Sequence, residues 1–258
     1  MVATATILVV VGVILFGGLV KGFTGFGYAI ASTAILAILI DPAVAVVVVI
    51  LPMLAANITL IGEIDRADLS SCIARFWPFV LAAAVGTVLG MLLLDVIPEQ
   101  PLRGGIGVFT LGYVVVRQPW IALPGKHRFT GFCFRENSYA KIGWGFVSGV
   151  IFGVANIGVQ IVAYLDTLRL SRSTFVGVLA MILIGISTLR VGIALELGLF
   201  GGESIFLLSA VAIVPGLLGV AIGRRLRYRV DQEIQLIGIM ALLSIIGIRL
   251  TVAGVLGW

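Results

Sequence analysis

The chain has 258 residues; 60% are hydrophobic, only 11% are charged, and the mean hydropathy is +1.22. Soluble domains are about 45–50% apolar and about 25% charged. This much apolar surface has no aqueous core to hide in, so lipid must be the solvent. The net charge of +5 suits basic loops that orient a membrane protein, and no nucleic-acid partner is expected.

The chain opens on "MVATATILVVVGVILF", which has no basic leader and no small-residue cleavage site and reads as a retained membrane segment. Apolar runs fall at 4–20, 27–40, 43–62, 76–94 and 101–116. A polar stretch at 117–141 separates them from runs at 142–153, 156–168, 173–197, 203–223 and 234–255. A span needs about 20 residues, with a lower limit near about 17. The runs at 43–62, 76–94, 173–197, 203–223 and 234–255 meet that; 101–116 is marginal. The runs at 27–40, 142–153 and 156–168 are short, and each adjoins a glycine-rich joint. This predicts two hairpins that enter the membrane and turn back partway.

The halves resemble each other. "GLVKGFTGFGY" (18–28) aligns with "GFVSGVIFGVAN" (145–156), pairing Gly18 with Gly145, Gly22 with Gly149, Gly25 with Gly153 and Tyr28 with Asn156. "ILPMLAANIT" (50–59) aligns with "VLAMILIGIS" (178–187), and "GTVLG" (86–90) with "GVAIG" (219–223). The expected fold is an all-α polytopic membrane protein of two inverted repeats, each a glycine-broken helical hairpin followed by three transmembrane helices. Residues 1–117 would form the first repeat, 118–141 a cytoplasmic loop and 142–258 the second repeat.

Charge sets the orientation. If each broken pair returns the chain to the side where it began, one side receives thirteen basic residues: Arg66, Arg75, Arg117, Lys126, Arg128, Arg135, Lys141, Arg169, Arg172, Arg224, Arg225, Arg227 and Arg229. The other side receives three, Arg103, Arg190 and Arg249. If each pair crossed once, the split would be nine against seven. The positive-inside rule selects the first arrangement, with both termini outside a plasma membrane and 117–141 in the cytoplasm. It also inverts the repeats, a common plan in secondary transporters.

After each joint a helix restarts, near Gly27–Tyr28 and near Asn156–Ile157. Its first N–H groups are unpaired and carry the positive end of the helix dipole. Two such ends facing each other suit a small anion. Gly25, Gly27, Tyr28 and Gly153 shape the joints. Thr24, Ser32, Asn156 and Gln160 offer side-chain donors, and Asn57, Thr59, Ser187 and Thr188 lie one span later in each repeat. Lys21 is either an interfacial anchor or a buried anion partner. Arg190 is either an interfacial partner of Glu196 or Glu203, the slightly favoured reading, or an anion gate.

Other features look structural. Cys72, Cys133 and the single His127 make no metal-spacing motif. "RRLRYR" (224–229) follows a span directly and reads as a topology signal touching anionic lipid. Asp41 and Asp166 end the short helices as solvated charges. No nucleophile triad, P-loop or carboxylate pair within a span supports catalysis, so no enzyme activity, cofactor or metal is expected.

At "GLVKGFTGFGYAIA" and "GFVSGVIFGVAN" the chain resembles the TauE/SafE family of membrane permeases, named for sulfite export. The resemblance extends to the long central loop and to "GRRLRYRVDQEIQLIGIMALL" before the last span. The family's joint is richer in glycine; here Tyr28 and Asn156 stand in its place and imply a differently shaped pocket. The resemblance implies transport of small sulfur-containing anions such as sulfite, thiosulfate or organosulfonates, with the lipid bilayer as the other partner and self-association into a homo-oligomer left open. An anion channel and a non-transporting membrane scaffold subunit are the alternatives.

Overall fold

A computed structural model of the chain describes residues 4–24, 27–59, 66–94, 96–117, 138–167, 172–201, 203–226, 229 and 232–256. These residues form twelve helices and no strand. Lipid offers no hydrogen bonds, so the backbone must satisfy itself, and helices do this within one segment. Before the central loop lie α1 (Thr4–Thr24), α2 (Tyr28–Leu39), α3 (Pro42–Val48), α4 (Ile50–Ile58), α5 (Arg66–Leu94) and α6 (Glu99–Arg117). After it come α7 (Ser138–Ala155), α8 (Val159–Thr167), α9 (Arg172–Glu196), α10 (Glu203–Val211), α11 (Ile213–Leu226) and α12 (Gln232–Leu256).

Among the described residues, Arg75–Leu94, Val178–Glu196 and Ser204–Leu226 are long and apolar enough to cross a membrane. Ile7–Phe23, Tyr28–Leu39, Pro42–Ile58 and Leu243–Leu256 are shorter apolar helices. The chain is an integral membrane protein.

Two runs expected as single helices are interrupted, at Val49 between α3 and α4 and at Ala212 between α10 and α11. Pro52 and Pro215 each sit three residues beyond the interruption. Proline offers no N–H to the carbonyl four residues back, and its ring crowds that carbonyl. For Pro52 that carbonyl is Val48 O, which instead accepts from Ser209 Oγ at 2.8 Å. At the other end of α3, Asp41 accepts from the N–H groups of Ala43 and Val44 at 2.8 and 3.0 Å, with Pro42 in the first helical position. Asp41 is therefore a helix cap. The side chain of Asp166 lies outside the described residues.

Three long helix pairs join the halves: α1 on α11, α5 on α7 and α6 on α12. Glycines line each seam. A Cβ at Gly22 of α1 would lie 2.7 Å from Gly223 Cα of α11, and one at Gly153 of α7 would lie 2.9 Å from Gly90 Cα of α5. Only hydrogen at these positions lets the backbones approach so closely, the small-residue packing that holds helices together in lipid. Between the seams, α2, α3, α4, α8 and the middle of α9 form the interior; Ala31, Leu36, Val46, Val48, Ile50, Ile161 and Ile186 are completely buried.

Candidate functional site

Both helix breaks open onto one cavity of about 50 Å³. Its lining includes Lys21 from α1, Gly27 and Tyr28 from the first break, and Met53 and Asn57 from α4. The second half contributes Phe152, Asn156, Gly158, Val162 and Leu183. One water occupies about 30 Å³ of the liquid, so the space suits one or two waters or one small ion.

The breaks reach it by different backbone routes. Gly27 precedes α2 with φ of 89°, a left-handed conformation that glycine adopts freely. At the second break Asn156 has φ of 60°, the one positive φ at a non-glycine among the described residues. Asparagine tolerates this region better than most side chains.

Two polar clusters meet there. In the first, Lys21 Nζ, almost fully buried, donates to Asn57 Oδ1 at 2.6 Å, and Asn57 Nδ2 donates to Ser187 Oγ at 3.1 Å. In the second, Arg190 is completely buried. One guanidinium nitrogen donates to Asn156 Oδ1 and the other to Gly153 O at 3.4 Å. The guanidinium carbon lies 5.2 Å from the centre of the Phe152 ring. Asn156 Nδ2 donates to Thr33 Oγ1 at 3.0 Å and to Val46 O at 2.9 Å.

Among the described residues no carboxylate pairs with Arg190, and its Nε has no acceptor. Removing a cation from water is costly unless an anion and hydrogen bonds compensate. Neutral carbonyl oxygens compensate only in part. Two cationic side chains, Lys21 and Arg190, are thus buried here with neutral oxygens as hydrogen-bond partners.

The sequence profile described as Sulfite exporter TauE/SafE matches residues 10–250. The chain belongs to the TauE/SafE family. Comparisons with curated proteins and with solved structures returned no match. TauE/SafE proteins are membrane transporters named for sulfite export, and the cavity here is lined by Lys21 with Arg190 one hydrogen bond behind it.

Of the residues expected in this family member's site, Lys21, Gly27, Tyr28, Asn57 and Asn156 line the cavity. Ser187 and Arg190 bond to lining residues, Asn57 and Asn156, and Gly153 O accepts from Arg190. The hydrogen-bond partners of Arg190 among the described residues are Asn156 and Gly153, in place of the Glu196 or Glu203 favoured from the sequence. Ser32 is buried with no hydroxyl partner among the described residues and faces Gly17. Gln160 donates to Ile157 O at 2.5 Å and to Ser148 O at 3.2 Å, so its amide braces the second break. Thr59 donates to Ala56 O at 2.7 Å, and Thr188 is exposed. Gly25 and the side chain of Thr24 lie outside the described residues. Thr33, Val46 O and Phe152 join the site unannounced, because nothing in an apolar run marks which residue meets a distant break. No cluster of three or more metal-ligating side chains occurs among the described residues.

Proposed function

We propose that the protein is a secondary transporter of small sulfur-containing anions such as sulfite, thiosulfate or organosulfonates, in the plasma membrane, with the anion held between the two helix breaks. One observation carries this reading: Arg190 is fully buried with only neutral oxygens for hydrogen-bond partners among the described residues, one hydrogen bond behind a cavity that Lys21 lines. Sulfite and its relatives present several oxygens around one or two negative charges, and a guanidinium or ammonium binds such oxygens strongly. Family membership supplies the sulfur chemistry.

Alternating access follows from two repeats of opposite orientation, residues 1–117 and 142–258, joined by a cytoplasmic 118–141 loop. The helix pairs support the duplication. Exchanging α1 with α7 and α5 with α11 converts the α1–α11 seam into the α7–α5 seam, and α6–α12 maps onto itself. The seams favour matching Gly22 with Gly153, one helical turn from the pairing suggested by the sequence. Rocking one repeat against the other would then expose the site to each side in turn.

The test is flux of purified protein in proteoliposomes with sulfite, thiosulfate, sulfoacetate, sulfate and chloride, with and without a pH gradient. Saturable sulfite or thiosulfate uptake with counterflow is expected. Large non-saturating conductance would make the protein a channel, and no movement of any sulfur anion would remove the transport reading.

A further inference from the structure

Arg190 brings five N–H donors into the protein interior. Among the described residues its acceptors are Asn156 Oδ1 and the long contact to Gly153 O, so the guanidinium is under-satisfied there. Asn156 is the opposite. Both hydrogens of its amide nitrogen are engaged, one by Thr33 Oγ1 of α2 and one by Val46 O near the end of α3. Those two acceptors fix the amide orientation and turn its oxygen toward Arg190. Val46 lies in the last turn of α3, where carbonyls lack the partner four residues on. The amide therefore does three things: it caps α3, ties the second break to α2, and covers Arg190.

Asn156 and Phe152, whose side chains lie against Arg190, both line the cavity; Arg190 itself is not in its lining. An anion entering beside Lys21 meets the Asn156 amide before it meets the guanidinium. We infer that Asn156 Oδ1 is a stand-in for an oxygen of the transported anion, and that its displacement by the anion is the event that releases the second break from α2 and α3. This rests on the anion-carrier reading above. A charged oxygen outcompetes an amide oxygen for a guanidinium, because charge-assisted hydrogen bonds are about twice as strong as neutral ones. Displacement swings the amide away, and Thr33 Oγ1 and Val46 O lose their donor. The anion thus has different contacts in the two states, the condition for a ligand to shift a conformational equilibrium.

Two substitutions move in opposite directions. Asn156→Asp places a tethered carboxylate beside Arg190, an internal competitor that the anion cannot dilute. Thr33→Val keeps side-chain shape, removes one of the two acceptors that hold the amide, and leaves Arg190 untouched. Weakening the closed state enlarges the competent fraction, and apparent affinity rises in proportion. The experiment measures radiolabelled sulfite uptake by the full-length variants in proteoliposomes, with thermal stability in detergent recorded for each. Asn156→Asp should raise the KM for sulfite by about tenfold or more. Thr33→Val should lower it by about threefold, the size expected for one neutral hydrogen bond. A purely structural role for the amide predicts weaker, never tighter, apparent binding in Thr33→Val. A KM that is unchanged or raised in Thr33→Val overturns the inference, as does an Asn156→Asp protein of normal stability within twofold of wild type. If Asn156→Asp does not fold, Thr33→Val decides alone. Wild-type uptake in the same vesicles separates the two levels: without it the carrier reading falls and the stand-in with it, whereas normal wild-type uptake with the wrong variant pattern overturns the stand-in alone.

Discussion

Arg190 of α9 and Asn156 of the α7–α8 break are 34 positions apart in the chain, and they meet side chain to side chain in the fully buried interior. The contact joins a charge that has no counter-ion among the described residues to a backbone turn that no regular helix would make. Both features are costly alone. Together they fit the proposed site, where an anion would compensate the charge and the bent backbone would give it room.

Arg190→Gln should abolish saturable sulfite uptake, with a loss of about a hundredfold or more in kcat/KM, because removing one partner of a buried charged contact is among the most damaging changes. Arg190→Lys keeps the charge but not the planar fork, and should retain partial activity with a raised KM. Flux kinetics on both variants check this. Equal activity in Arg190→Gln and wild type would show that the guanidinium serves packing alone.

Lys21 separates anchor from ligand. Its ammonium is buried and bonded to Asn57 Oδ1 at 2.6 Å. Lys21→Met preserves the apolar stem, so insertion and yield should stay near wild type, while sulfite uptake should fall by about tenfold or more. Asn57→Leu should reduce uptake as well, since it removes the amide acceptor of the ammonium. An anchor role predicts unchanged uptake in Lys21→Met, measurable in the same vesicles.

The seams carry a stability prediction. A Cβ at Gly153 would lie 2.7 Å from Thr87 O and 2.9 Å from Gly90 Cα, both backbone atoms that cannot rotate away. Gly153→Ala should therefore destabilise the protein by about 1–3 kcal/mol and lower its melting temperature in detergent. Gly112, on α6 with nothing within 4 Å of a built Cβ, is the control. Gly112→Ala should be neutral or slightly stabilising, because alanine favours helix over glycine by about 1 kcal/mol.

Orientation is testable with the protein's own thiols. Cys133 falls in the 118–141 stretch, outside the described residues, on the side assigned thirteen basic residues. In intact cells expressing a Cys72→Ser chain, a membrane-impermeant maleimide should leave Cys133 unlabelled until the membrane is permeabilised. A cysteine introduced at Trp258, with Cys133→Ser as well, should label from outside without permeabilisation. Reversed labelling would place the central loop outside and undo the charge-based topology.

The sequence by itself determined the class and the punctuation. Apolar residues at 60% leave lipid as the solvent, and the joints near Gly27 and Asn156 stand out because glycine and asparagine interrupt otherwise apolar helices. Asn57, Asn156 and Lys21 were visible as polar groups where polarity is costly, and all three line the cavity. What a membrane helix does not encode is direction. In α9 lipid-facing and interior-facing positions are both apolar, so no periodicity separates exposed Thr188 from buried Ser187 and Arg190. Nor could it tell that Pro52 would hand Val48 O to Ser209, or that Thr33 and Val46 O would share the amide of Asn156. Glycine seams of one type could pair in several ways, and only the packed structure selects α1 with α11 and α5 with α7. That selection brings the two breaks to one cavity, because a contact between positions more than 100 residues apart depends on which backbones can approach, a property of shape that a one-dimensional pattern does not contain.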